Sequence, residues 1–198
     1  SLDWDIDPAI LIERGVVLAH CPSAGGAGGF SQNYPEALAA GMDVNIGIDT
    51  HSNDYLENLK LAVLYGQARY DLMKDGAVAV KRPTAWTAIR NATTVPAAAL
   101  RRSDIGRIVE GAKADIVAID VSGPLVGSGA LPPEPLNNLL YANGMMVRHV
   151  ITDGLVQVFD GHLVVDDESQ VIAEGGQVMG AIYEQLQAEG WFTPLPRE

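Results

Sequence analysis

The sequence has a single cysteine, Cys21, so no internal disulfide can form, and such sparing use of cysteine fits a reducing compartment, the cytoplasm by default. Basic residues are also scarce. With 13 Lys and Arg against 25 Asp and Glu the net charge is −12, which excludes a basic footprint for nucleic acid or an anionic membrane surface. Long apolar runs are missing too: Gly15–Ala19 and Val95–Leu100 fall far short of the roughly 20 residues a bilayer-spanning helix needs. No signal-peptide pattern opens the chain, and no repeat at solenoid periods is visible. Histidine is scarce as well, present only as His20, His51, His149 and His162. What is present is enough apolar material, 47% of 198 residues, for a real core. The length itself falls below the roughly 250 residues of a complete eight-unit β/α barrel.

The order of elements reads as α/β. Asp7–Arg14 predicts a helix with Asp7 as N-cap and Pro8 at its first position, stopped by Gly15. Gly15–His20 reads as a strand buried on both faces, and Cys21–Asn33 as a glycine-rich loop without helix or strand. Tyr34–Ala40 predicts a helix closed by Gly41, Val44–Asp49 a second strand, and Asp54–Lys74 a long amphipathic helix capped by Asn53 or Asp54. This is the rhythm of a parallel sheet with right-handed crossovers, and in such sheets chemistry collects at the carboxyl ends of strands, where His20 and Asp49 stand. Helices are expected at Pro83–Asn91 and Pro96–Arg102. From Asp104 the texture changes to strands at Ile105–Ile108, Ala114–Asp120, Val147–Thr152, Leu155–Phe159 and His162–Val165. The last three are separated by Asp153-Gly154 and Asp160-Gly161, the strongest short hairpin signal. A loop at Gly123–Pro135, a short helix near Leu136–Ala142, and a closing helix over 167–190 anchored by Trp191-Phe192 complete the reading. Three units result: 1–103, 104–166 and 167–198.

Each chemical motif is modest alone. Asp49 is a candidate metal ligand or catalytic carboxylate, or a cap for the next helix. His20 could bind a metal or a substrate, or be a satisfied strand-end histidine. His51 alternates with Asp49 and would face the same way on an extended backbone, unless Thr50–Asn53 is already loop. The stretch Gly25-Gly26-Ala27-Gly28-Gly29 lacks the spacing of a dinucleotide fingerprint and suits a lid or a mobile loop. Nothing around Cys21 matches a thiol enzyme.

Taken in order, the motifs are far more specific. His20-Cys21-Pro22-Ser23 after an apolar strand, Ile46-Gly47-Ile48-Asp49 followed by Ser52-Asn53, and Asp104–Val117 with its Gly111-Ala112-Lys113-Ala114-Asp115 turn together resemble the amidohydrolase superfamily. The branch is that of cytosine, guanine and S-adenosylhomocysteine deaminases and triazine hydrolases. Val150–Gly154 and Phe159-Asp160-Gly161 resemble that branch's closing hairpins.

The resemblance implies the carboxyl-terminal part of a metal-dependent (β/α)8 TIM barrel, with part of a small composite β-sandwich. It implies hydrolysis of a C–N or C–Cl bond in a small heterocyclic substrate by a water that one divalent metal ion, zinc or alternatively iron, activates. Asp49 falls where the family's eighth-strand aspartate binds the metal and accepts a proton. His20 and Ser23 fall after the seventh strand, and His51, Ser52 and Asn53 after the eighth, at substrate-facing or loop-holding positions. The family's first-strand His-x-His and its fifth- and sixth-strand histidines have no counterpart in this sequence. Because a catalytic zinc needs about three protein ligands, this polypeptide alone is expected to be inactive. Its partners would be a small-molecule substrate and either further copies in a homo-oligomer or a separately supplied amino-terminal half. The alternative is a catalytically silent binding or assembly module.

Overall fold

The computed structural model describes residues 3, 6–28, 33–49, 53–122 and 135–191. Helix α1 (Asp7–Glu13) carries Pro8 in its first turn, and Gly15, at φ +65°, ends the turn beyond it. Asp7 lies inside the helix instead of capping it: its carboxylate accepts the Asp3 N–H at 2.7 Å, and Ile6 precedes the helix without a side-chain cap.

Strand β1 (Leu18–His20) pairs in parallel with β2 (Val44–Ile46), in the register Leu18 to Val44 and His20 to Ile46. Their connection contains two helices. One was not expected: α2 (Pro22–Ala27) forms from Pro-Ser-Ala-Gly-Gly-Ala, against the low helix propensity of glycine. Tertiary packing explains it. Pro22 and Ala24 are buried, the Ser23 N–H donates to Asn58 Oδ1 at 3.3 Å, and a Cβ on Gly26 would stand 3.2 Å from the Tyr65 ring. The glycine therefore allows a close approach between helices, and the lid reading of Gly25–Gly28 is replaced by a packed helix. The second, α3 (Tyr34–Ala40), is closed by Gly41 in the left-handed conformation that glycine adopts without strain. Strand β1 is not covered on both faces as expected, because Leu18 is only half-buried and Ala19 is exposed.

Helix α4 (Tyr55–Met73) turns Leu56, Leu59, Ala62, Val63 and Gly66 inward. Leu56, Leu59, Ala62 and Val63 join Tyr34, Ala37, Met42, Val44, Ile46 and Ala88 in the main core. Helix α5 (Ala85–Ala92) opens on a reciprocal capping box of Thr84 with Thr87, and α6 (Thr94–Ala99) follows directly.

Past α6 the expected strand at Ile105–Ile108 is absent. Gly106, at φ +81°, is pressed so closely to α6 that a Cβ would lie 2.7 Å from the Ala97 methyl and from the Thr93 carbonyl oxygen. Arg102 clasps Asp104 through two short bonds, and Arg107 donates to the Ser103 carbonyl. These local bonds keep the segment turned where a strand would be extended. The antiparallel sheet expected beyond it is present, ordered β3 (Ile116–Ile119), β4 (Val147–Thr152), β5 (Leu155–Phe159) and β6 (His162–Leu163). Asp153-Gly154 and Asp160-Gly161 form its two turns with φ positive at all four residues, the geometry that matches strand twist.

Helix α7 (Pro135–Leu139) precedes a 3-10 turn at Gly144–Met146. Helix α8 (Glu168–Ala188) forms as predicted but closes nothing among the described residues. Val171, Ile172, Val178, Met179 and Ile182 face outward along it, and Trp191 is 72% exposed instead of serving as an anchor.

Candidate functional site

The parallel register sets the carboxyl ends of β1 and β2 side by side, and the ladder continues one step further as the Gly47 N–H donates to the His20 carbonyl at 3.0 Å. Beyond that bond the chain runs through Ile48 to Asp49, an exposed residue in the left-handed region at φ +54°. Asparagine and aspartate enter this region more readily than other residues with a Cβ.

One side chain braces the approach to Asp49. The Tyr55 O–H, from the first residue of α4, donates to the Ile46 carbonyl at 2.8 Å. Cys21 stands where a side chain would cap α2, yet caps nothing there. Its sulfur lies against the end of β2, 3.0 Å from where a Cβ on Gly47 would stand, and burial, with the Asp49 carboxylate adding to it, pushes the thiol's pKa up. Burial also pushes the Tyr55 phenol up to about 12, with Cys21 adding to the shift.

His20 turns inward. It is buried, stacked on Tyr34 with ring centroids 4.7 Å apart, and its Nε2 has no hydrogen-bond partner among the described residues. Burial lowers its pKa from 6.5 to about 4, so the ring is neutral at physiological pH. Tyr34 in turn accepts from Asn91 Nδ2 at 2.8 Å, and burial lifts its phenol to about 12.

Ser23 lies in the first turn of α2, held through its N–H to Asn58. Asn53 is exposed just before α4, and the cap itself is Asp54, which accepts the Glu57 N–H at 3.1 Å and the Gly144 N–H at 2.8 Å. His51 and Ser52 lie outside the described residues. His149 and His162 sit in the antiparallel sheet, the first accepting the Asp160 N–H and the second near Glu168.

Two residues that hold the site were not singled out as its parts by sequence: Tyr55 and Asn58. Asn58 carried a readable signal, a polar residue on the apolar face of α4. It is fully buried, and its amide spans from the Asp54 carbonyl to the Ser23 N–H. Among the described residues no three His, Cys, Asp or Glu side chains gather as a metal site. Asp49 offers one carboxylate donor of a kind zinc accepts, so the described residues fit one corner of a metal centre and not the whole.

A groove of about 920 Å³ opens beside these elements, between α4–α6 and the sheet, lined by Leu56, Leu59, Ile105, Ile116, Ile119 and Val150 among others. None of the described helices is long and apolar enough to cross a membrane.

The amidohydrolase family matches residues 4–156. A 5'-deoxyadenosine deaminase of Methanopyrus kandleri is 32% identical over 175 residues, covering 85% of this chain and 38% of that protein. A 5-methylthioadenosine/S-adenosylhomocysteine deaminase of Haloarcula marismortui is 33% identical over 191 residues, covering 92% and 41%. This chain thus spans about two fifths of the length of these curated relatives. Among solved structures, a zinc-bound adenosine deaminase from Xanthomonas campestris superposes with a TM-score of 0.75 at 27% identity, over 93% of this chain and 41% of that one. A zinc- and atraton-bound mutant of an atrazine chlorohydrolase from Arthrobacter aurescens superposes at 0.72 with 24% identity, over 88% and 38%, and shares the fold. The mixed α/β chain belongs to the amidohydrolase family.

Proposed function

We propose that this chain is the carboxyl-terminal part of a hydrolytic deaminase acting on the amino group of an adenine-type ring in a small nucleoside, with Asp49 as metal ligand and proton acceptor. The observation that carries this reading is the placement of Asp49: three residues past the end of β2, exposed, beyond a strand end that Tyr55 holds, and inside the stretch that matches the family. The relatives named above are deaminases of 5'-deoxyadenosine and of 5-methylthioadenosine and S-adenosylhomocysteine, which supports a purine nucleoside over a triazine.

The two parallel strands and their helices would be the last units of a (β/α)8 barrel, within residues 1–103. The β3–β6 sheet, within 104–166, would be one part of a composite sandwich, and 167–198 a terminal helix and tail. Strands from the portion of the relatives outside the match would fill the apolar groove against β3. The same portion would bring the remaining ligands, either in the same polypeptide or as a partner subunit, in a cytoplasmic enzyme that is a homo-oligomer or a two-part assembly.

A single zinc ion, or alternatively iron, would lower the pKa of a water so that hydroxide is available near neutral pH. The Asp49 carboxylate is suited to receive the proton that this water gives up. As hydroxide adds to the ring carbon and the C–N bond breaks, the proton can pass on to the departing ammonia. His20, neutral and buried, would form the pocket wall behind the site. Ser23, His51, Ser52 and Asn53 are the proposed substrate-facing set.

The test is a screen of the complete open reading frame, loaded with zinc, against adenosine-type nucleosides, free aminopurines, pyrimidines and triazines, following ammonia release. The expected result is release from the nucleosides at rates well above those from the other classes. Activity confined to triazines would overturn the substrate assignment.

A further inference from the structure

Helix α2 lacks a cap of its own. The residue at its N-cap is Cys21, whose carbonyl accepts the Gly25 N–H at 2.9 Å but whose side chain makes no capping bond. The first N–H groups of a helix have no partner within it, and an N-cap side chain ordinarily receives that of the second or third residue. Here the second residue is Ser23, and its N–H goes to Oδ1 of Asn58, 35 residues away in α4. Asn58 thus does from a neighbouring helix what a serine or aspartate at position 21 would do in place. The helix has need of such support, because Gly25 and Gly26 give it little tendency to form by itself.

Asn58 is held in turn. It is fully buried, and its Nδ2 donates to the Asp54 carbonyl at 3.1 Å, which leaves the amide oxygen for Ser23. Tyr55 lies three residues earlier, a spacing that makes the two side chains neighbours on the helix surface, and its O–H donates to the Ile46 carbonyl. The first turns of α4 therefore grip both strand ends, β2 through Tyr55 and the segment after β1 through Asn58. An apolar residue at 58 would fill the core equally well but could not fix the backbone of Ser23.

We propose that Asn58 is a positioning residue: by capping α2 from α4, its amide fixes Ser23 against the end of β2 and so places it for the substrate. Asn58 touches neither substrate nor reacting atoms and acts only through Ser23, so this role rests on the reading of Ser23 as substrate-facing.

The test compares Asn58→Leu, which keeps the branched shape and loses both bonds, with wild type in the complete, zinc-loaded polypeptide. The direct readout is amide hydrogen exchange at Ser23, resolved by mass spectrometry, which requires no catalytic activity. Losing one hydrogen bond of ordinary strength predicts exchange at Ser23 faster by about fivefold or more, with α5 unchanged. Adding Cys21→Ser to Asn58→Leu supplies a local cap and should slow that exchange again, a rescue that a mere packing role would not give. KM for 5'-deoxyadenosine should rise about fivefold in Asn58→Leu with kcat nearly constant, as expected when binding alone is weakened. In a Ser23→Ala background, itself raised in KM, Asn58→Leu should raise KM no further. Unchanged exchange at Ser23 in a folded Asn58→Leu overturns the inference whatever the activity does. Should that variant fail to fold, a Ser23 N–H that exchanges in wild type as fast as in an unstructured peptide overturns it equally. Failure of the underlying reading looks different: Ser23→Ala would then keep the wild-type KM, while exchange would still report whether Asn58 caps α2.

Discussion

The imidazole of His20 lies on the ring of Tyr34 with planes 16° apart and centroids separated by 4.7 Å, at the end of β1 and under the first turn of α3. The stack buries a titratable ring among groups that do not compensate its charge, and its pKa falls from 6.5 to about 4. Between those values the unfolded chain takes up a proton that the folded chain refuses, so stability contributed by the neutral ring is full above pH 6.5 and declines as pH drops toward 4, by about 3 kcal/mol in all. Denaturant midpoints measured at pH 7.5 and pH 5 should therefore converge in His20→Phe, which keeps a stack without a titrating group, and diverge in wild type. Equal slopes in the two proteins would show that His20 is not buried as a neutral ring.

Glu36 is 2% exposed in α3 and is bonded by the Arg69 guanidinium of α4. One of its carboxylate oxygens, Oε2, has no partner among the described residues, so its charge depends heavily on Arg69. Removing one member of a buried pair commonly costs roughly 3–5 kcal/mol, whereas replacing both with apolar residues of similar volume costs far less. Arg69→Met is expected to lower the unfolding midpoint sharply, and Glu36→Leu added to it should restore most of the loss. The check is a double-mutant cycle by urea denaturation.

The glycines separate into two groups with opposite expectations. A Cβ on Gly66 in α4 would meet Pro83 Cγ at 2.6 Å, and Gly66→Ala should destabilise by about 1–3 kcal/mol through overpacking. A Cβ on Gly175 or Gly176 in α8 meets nothing within 4 Å, so alanine there should strengthen the helix by about 1 kcal/mol each. Hydrogen exchange along α8 reads the second effect directly.

Asp54 ties the start of α4 to the 3-10 turn before β4, through the Glu57 and Gly144 N–H groups. Asp54→Ala removes a helix cap and this link between layers, with an expected cost of about 1–2 kcal/mol in thermal unfolding. Asp54→Asn, which keeps an acceptor oxygen, should recover much of it.

Much of this architecture was legible because local rules and tertiary packing agree. Gly41 ends α3, Asp54 caps α4, and both Asp-Gly turns join the strands their sequence predicts. Where local rules and packing diverge, packing prevails. Pro22–Ala27 is helical because α4 receives it, and Ile105–Ile108 is turned because Gly106 packs on α6. Of the candidate site, the sequence made legible two parallel strands with His20 ending one, while the second strand stops at Ile46 and leaves Asp49 in a turn beyond it, short of the expected Val44–Asp49. Its bracing was not legible, since the phenol of Tyr55 acts through the Ile46 carbonyl, a backbone group that leaves no pattern in the side-chain sequence. Asn58 lies between these cases, its burial readable from the apolar face it interrupts and its Ser23 partner visible only in the fold.

The central claim is that Asp49 holds the metal and takes the proton in a nucleoside deaminase. The most direct measurement is zinc content together with ammonia release from 5'-deoxyadenosine, in the complete polypeptide with and without Asp49→Asn. The account predicts that the variant folds, binds zinc more weakly and loses turnover by several orders of magnitude. A variant that keeps wild-type zinc content and wild-type turnover would contradict it.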